Sequence, residues 1–240
     1  MSENYNFGEV DMDEMRGEYE ATAQRKKAMK LQEGRNTLRV LPPPVGEKRP
    51  FKVFWVHGVG EGSSFRSFQC PDKTLGEPCP ACEKVSALYR SGNEADRQMA
   101  NRMRVKREAY CNVVDMTHPE KGVQVLRVAE GTYRDLLGFM VPDDKTGEPG
   151  VNYTHPTTGM NVIINREGVD RQTKYKCELG RTGPKPLQDM KWLEGMHDLS
   201  GYVRAMPADQ VVALLEGRDT EFPPKELPAG GSIADDPDLS

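Results

Sequence analysis

The sequence predicts a mainly β protein with short helices (α+β), organised as a barrel-like β core with insertions. Three observations carry this. Six or seven short segments have the β-branched and aromatic composition, or the two-residue alternation, of strands. The helical segments between them are short and follow no strand–helix–strand rhythm, which argues against a parallel doubly wound sheet. No stretch approaches the roughly 20 apolar residues needed to span a bilayer.

The elements follow in chain order. Residues 1–24 are acidic and lack a periodic apolar pattern, the composition of a disordered arm. Arg25, Lys26, Lys27 and Lys30 lie on a short helix-compatible stretch. Residues 37–41 (TLRVL) alternate as a strand that stops at Pro42, Pro43 and Pro44. Residues 51–57 (FKVFWVH) are a second strand, and residues 65–70 offer a third. From Pro78 the chain turns and runs as a short helix to Arg90, with Val85, Leu88 and Tyr89 on one face. Residues 94–103 form a second short helix or an ordered loop. Residues 104–115 make a long strand, and residues 122–128 pair with it as a hairpin across a His-Pro-Glu-Lys-Gly turn. A helix over 133–140, strands over 160–165 and 174–179, and a docking helix over 207–216 complete the order. Beyond Phe222 the chain is rich in proline and glycine and ends in an acidic run, read as a disordered tail.

The net charge of −4 over 240 residues hides a strong segregation. Residues 1–24 carry a net −6, whereas residues 25–112 hold 18 basic and nine acidic side chains, a net +9. Residues 113–200 are near balance at −2, and residues 201–240 carry −5. A basic body between acidic ends suits a polyanionic partner better than a uniformly acidic enzyme does. The acidic N-terminus is the opposite of a signal peptide, so a soluble, non-secreted protein with no membrane partner is expected.

Five cysteines is an odd number, and three of them, Cys70, Cys79 and Cys82, fall within 13 residues. With His57 they form the series His57-x12-Cys70-x8-Cys79-x2-Cys82. One imidazole and three thiolates make a tetrahedral zinc set, and the Cys-Pro-Ala-Cys turn can place two sulfurs on one ion. Four protein ligands leave no position for a catalytic water, so one structural Zn²⁺ ion is expected and no catalytic residue. Cys-Pro-Ala-Cys is also compatible with a dithiol redox motif or with unliganded buried thiols. A metallohydrolase would need an open metal position, and His118, His155 and His197 show no ligand-like spacing.

Arg102, Arg104, Lys106 and Arg107 precede Tyr110 and Asn112 on the long strand. Cations beside an aromatic suit single-stranded nucleic acid, where phosphates need neutralising and unpaired bases can stack. A charged edge strand would carry the same residues. Trp55 is a second stacking candidate, or else core.

Taken together these residues resemble the phage helix-destabilising, single-stranded DNA-binding proteins of the T-even gene 32 family. The stretch 31–43 (LQEGRNTLRVLPP) is similar to that family's first core strand, and the His/Cys/Cys/Cys order matches its zinc ligands at His57, Cys70, Cys79 and Cys82. Val105, Lys106 and Arg107, with Tyr110 and Asn112, resemble its DNA-cleft strand, and Asp235, Asp236, Asp238 and Leu239 its acidic tail. Cys111 stands where a second aromatic would be expected, and the N-terminal arm is acidic where the family's best-known member is basic. The resemblance implies an OB-fold with a zinc-binding subdomain at about 55–104, inside a core of residues 25–205. The acidic arm 1–24 and a helix with acidic tail over 206–240 flank it. It implies sequence-independent binding of single-stranded DNA in phage replication, recombination and repair, in the host-cell cytoplasm. Arg35, Arg39, Arg102, Arg104, Lys106 and Arg107 would contact the strand together with Trp55, Tyr110 and Asn112. The tail would serve replication or recombination proteins. A zinc-ribbon module for RNA or for a transcription or replication complex is the alternative.

Overall fold

A computed structural model describes residues 28–60, 65–169, 172–203 and 205–218. The acidic arm, the cluster Arg25 to Lys27 and the tail residues Asp235, Asp236, Asp238 and Leu239 lie outside the described residues. Seven strands form one antiparallel sheet: β1 (Gly34–Val40), β2 (Phe51–Val59), β3 (Arg66–Gln69), β4 (Lys106–Asp115), β5 (Val123–Ala129), β6 (Val162–Glu167) and β7 (Lys174–Leu179). Among the described residues five α-helices accompany them: α1 (Pro71–Leu75), α2 (Pro80–Arg90), α3 (Glu94–Met103), α4 (Glu130–Gly138) and α5 (Ala208–Leu215). No helix among the described residues is long and apolar enough to cross a membrane.

The strand order is β3-β2-β4-β1-β6-β7, with β5 added to β4. β4 is the hub because it is long enough to serve three partners. β2 pairs with it from Lys106 to Cys111, and β1 takes over at Val113 to Asp115. β5 lines Glu108 to Val114, closing the expected hairpin across the short 3-10 turn Pro119–Lys121. Two successive strands on β4 make the sheet fork near Asn112, whose carbonyl accepts the amide of Leu41. Among the described residues no pairing joins β7 to β3 or β5, so the sheet is open in its hydrogen bonding.

The hub position explains why β4 is buried without interruption from Glu108 to Val114. Alternation sends Ala109, Cys111 and Val113 to one face, where they pack with Leu38, Leu126, Val162, Ile164 and the α4 residues Tyr133 and Leu136. Tyr110 points to the other face and packs with Phe54, Val56 and Val125 under Leu199 and Val203. Both faces of the hub are therefore covered, the second by a segment more than 80 residues away.

A separate apolar cluster joins α2, α3 and α5 to the end of β2 and to β3, through Val59, Phe68, Ala81, Val85, Ala100, Met103 and Val211. Val211 is fully buried here, so the last helix packs into this lobe instead of standing apart with the C-terminal segment. Local signals fix the helix ends: Pro80 occupies the first turn of α2, and the Asn93 side chain accepts the Ala95 amide at the start of α3. The short α1, absent from the sequence reading, starts on Pro71 and stops at Gly76, which adopts φ 73°. Tyr89 departs from the expected apolar face of α2: it is exposed and donates its hydroxyl to Asn101.

Candidate metal centre and nucleic-acid interface

His57 comes from β2, Cys70 from the residue following β3, and Cys79 and Cys82 from the N-terminal turn of α2. Their ligand atoms lie within 4.8 Å of one another. His57 and Cys70 are fully buried and Cys79 is 3% exposed. The His57 Nδ1 sits 2.8 Å from the Met103 carbonyl oxygen. A carbonyl can only accept, so Nδ1 carries the proton and Nε2 turns a lone pair towards the thiols. That nitrogen is 3.5 Å from Cys79 Sγ and 3.3 Å from Cys82 Sγ, and Cys70 Sγ lies 3.6 Å from Cys82 Sγ.

These separations can be compared with the edges of a coordination tetrahedron. Metal–sulfur bonds of about 2.3 Å and metal–nitrogen bonds of about 2.0 Å require sulfur–sulfur edges of about 3.8 Å and sulfur–nitrogen edges of about 3.6 Å. The three edges given above fall close to these values. All three cysteines are free, and the sulfur–sulfur separation far exceeds a disulfide bond. The four residues can hold one metal ion.

Burial is the largest influence on the Cys79 thiol and opposes its ionisation, but hydrogen bonds around the sulfur, the Cys82 amide's among them, bring it down to about 7. Burial pushes the Cys70 and Cys82 thiols up. In the metal-free chain these two are protonated at neutral pH, and an ion must displace their protons. Each proton displaced lowers metal affinity about tenfold for every pH unit of acidification. Competition with a colorimetric chelator between pH 8 and pH 6 is therefore expected to show affinity falling steeply towards acid; a flat profile would mean that the thiols are not the ligands.

The cations divide into two groups. Arg104, just after α3, and Lys106 and Arg107, at the start of β4, line a cleft of about 330 Å³. Arg134 of α4 and Tyr175 of β7 complete it, with Glu130, Thr132 and Asp135 on the α4 side. Trp55 faces Arg107 across the β2–β4 register, and the guanidinium lies 5.4 Å from its ring centroid. Trp55 is half-buried, which leaves part of the ring accessible. Arg35 at the start of β1 and Arg102 on α3 are exposed but do not line this cleft.

Three residues assigned to the interface from the sequence lie inside the protein instead. Arg39 is 2% exposed, and its Nη2 donates to the carbonyls of His155 and Lys185 at 2.8 and 2.9 Å. The approach is close: a Cβ on Gly159 would come within 2.7 Å of that nitrogen. Tyr110 is 6% exposed, packs edge-on against Phe54 and donates its hydroxyl to Glu108. Asn112 is 2% exposed; its amide donates to the His197 carbonyl and accepts the His197 N–H. Tyr110 and Asn112 lie on a face of β4 that is roofed by the segment around residues 197–203. Arg134 and Tyr175 were missed. The Lys174-Tyr175-Lys176 run repeats the basic–aromatic pattern of the long strand, and that was the available signal.

A family model described as gp32 DNA binding protein like matches residues 32–215. The chain belongs to that family. Comparison with individually curated proteins gave no match. The matched span of this gp32-like chain runs from two residues before β1 to the last residue of α5. It contains all seven strands, the four metal-site residues and every residue lining the basic cleft. The acidic residues 1–24 and the acidic C-terminal run fall outside it.

Proposed function

We propose that this gp32-like chain binds single-stranded DNA without sequence preference, and that its metal centre holds one structural zinc ion. The observation that carries the reading is the convergence of Arg104, Lys106, Arg107 and Arg134 with Tyr175 in one cleft. Guanidinium and ammonium groups neutralise successive phosphates, while the Tyr175 ring, with the accessible part of Trp55, offers π-faces that stack on any base. Duplex DNA hides those base faces, so preference for single strands follows from the stacking component. Soft thiolates with one imidazole in a closed, buried set favour zinc in a structural role. That lobe, at about 55–104 with α5 packed onto it, would form a subdomain beside an OB-type core. The chain is a binding protein rather than an enzyme, serving phage DNA replication, recombination and repair in the host cell. Asp235, Asp236, Asp238 and Leu239 would offer an acidic docking tail to other replication proteins.

Titration with oligo(dT), followed by tryptophan emission, tests this. Four phosphate contacts give a log–log salt slope of about −3. Affinity for duplex of equal length equal to that for oligo(dT) would overturn the assignment; preference for RNA would favour an RNA-directed zinc-ribbon role.

A further inference from the structure

Arg107 differs from its neighbours in the cleft because it is already engaged. Its Nε donates to Glu130 Oε1 at 2.9 Å, its Nη2 closes on the same oxygen, and its guanidinium lies over Trp55. No carboxylate partner is seen among the described residues for Arg104 or Arg134. Glu130 is the first residue of α4 and lines the cleft with Asp135. A carboxylate in a basic cleft weakens binding of a polyanion, so an acidic residue placed on one of its arginines calls for a reason.

We propose that Glu130 is an internal stand-in for a backbone phosphate. Its carboxylate holds Arg107 in place on Trp55 while the cleft is empty, and a DNA phosphate takes its position when the strand enters. The geometry suits an exchange. Carboxylate and phosphate accept from the same edge of a guanidinium, so Arg107 can change acceptor while keeping its face on Trp55. The pair is about half exposed, with side chains 40% and 47% accessible, which places it among weak and readily broken ion pairs. Once released, the Glu130 carboxylate remains at the N-terminus of α4, where the helix dipole favours a negative charge. Arg107 is therefore prepositioned without being made sticky, and non-specific anions must compete with an intramolecular carboxylate for it. This rests on the cleft being the strand-binding site.

The test is oligo(dT) affinity and its salt slope for the full chain and for Glu130→Gln, Asp135→Asn, Arg107→Gln and the Glu130→Gln/Arg107→Gln double variant. Glu130→Gln is expected to bind roughly two- to fivefold more tightly, with a steeper salt slope. The gain should vanish in the Arg107→Gln background, and Asp135→Asn, which frees no arginine, should gain less. No gain from Glu130→Gln, an equal gain from Asp135→Asn, or a gain that survives without Arg107 would each overturn the exchange. Failure of the unmodified chain to bind oligo(dT) would instead overturn the functional reading beneath it.

Discussion

Replacing Cys79 by serine is expected to unfold the lobe built from α2, α3 and α5, and to abolish metal binding. Cys70 and Cys79 are themselves core residues of that lobe, whose other buried apolar side chains are Val59, Phe68, Ala81, Val85, Ala100, Met103, Met206 and Val211. Such a cluster cannot offset the ordering of three helices by burial alone. A closed thiolate–imidazole site contributes on the order of 10 kcal/mol, as much as the whole net stability of an ordinary domain. Metal content by atomic absorption should fall from one ion per chain to none. The thermal transition should broaden or split as the lobe melts ahead of the sheet. Chelation of the unmodified protein should reproduce both effects. A Cys79→Ser protein that melts in one step at the unmodified temperature would show that the ion is incidental to the fold.

Arg39→Leu should destabilise the sheet by about 2–4 kcal/mol, because the two charge-assisted hydrogen bonds to the carbonyls of His155 and Lys185 would be lost, and the His155 carbonyl would keep only the Gly159 amide. In a chain of this size that corresponds to a melting shift of about 5–15 °C. Burial lowers the Arg39 pKa, yet a guanidinium stays charged at any pH the fold survives, so the strut is insensitive to ordinary acidification. Affinity of the remaining folded protein for oligo(dT) should not change. Loss of affinity with an unchanged melting temperature would return Arg39 to the binding surface. The distinction matters because the residue type is the same as at Arg104, and only its surroundings decide between the two roles.

What could be read from the sequence was mostly what short-range spacing controls. The strand at 51–59 announces itself through its β-branched and aromatic run, those at 106–115 and 174–179 through two-residue alternation, and the hairpin between β4 and β5 through its turn. The four metal-site residues were legible because a Cys-x2-Cys turn at a helix start has few other uses beside a third cysteine and a strand-end histidine. The rest depended on distant contacts. Arg39 meets its carbonyl partners 116 and 146 positions later, and Asn112 meets His197 after 85. No local pattern says that a loop near residue 200 will roof one face of β4. The same holds for the cleft, where α4 and β7 bring Arg134 and Tyr175 to arginines some 30 to 70 residues earlier. Periodicity tells which residues share a face; it does not tell which faces remain open.

The bond between the His57 ring and the Met103 carbonyl ties two chemistries together. Met103 ends α3, and the next residue, Arg104, is the first cation of the cleft. An ion held there would act as a mechanical fulcrum: by fixing one imidazole it would fix the peptide from which the row of cleft cations is launched. Loss of metal would be felt as misalignment of that row before it was felt as unfolding of the sheet. On the proposed function, trace-metal supply and grip on DNA would then be linked through a single peptide group.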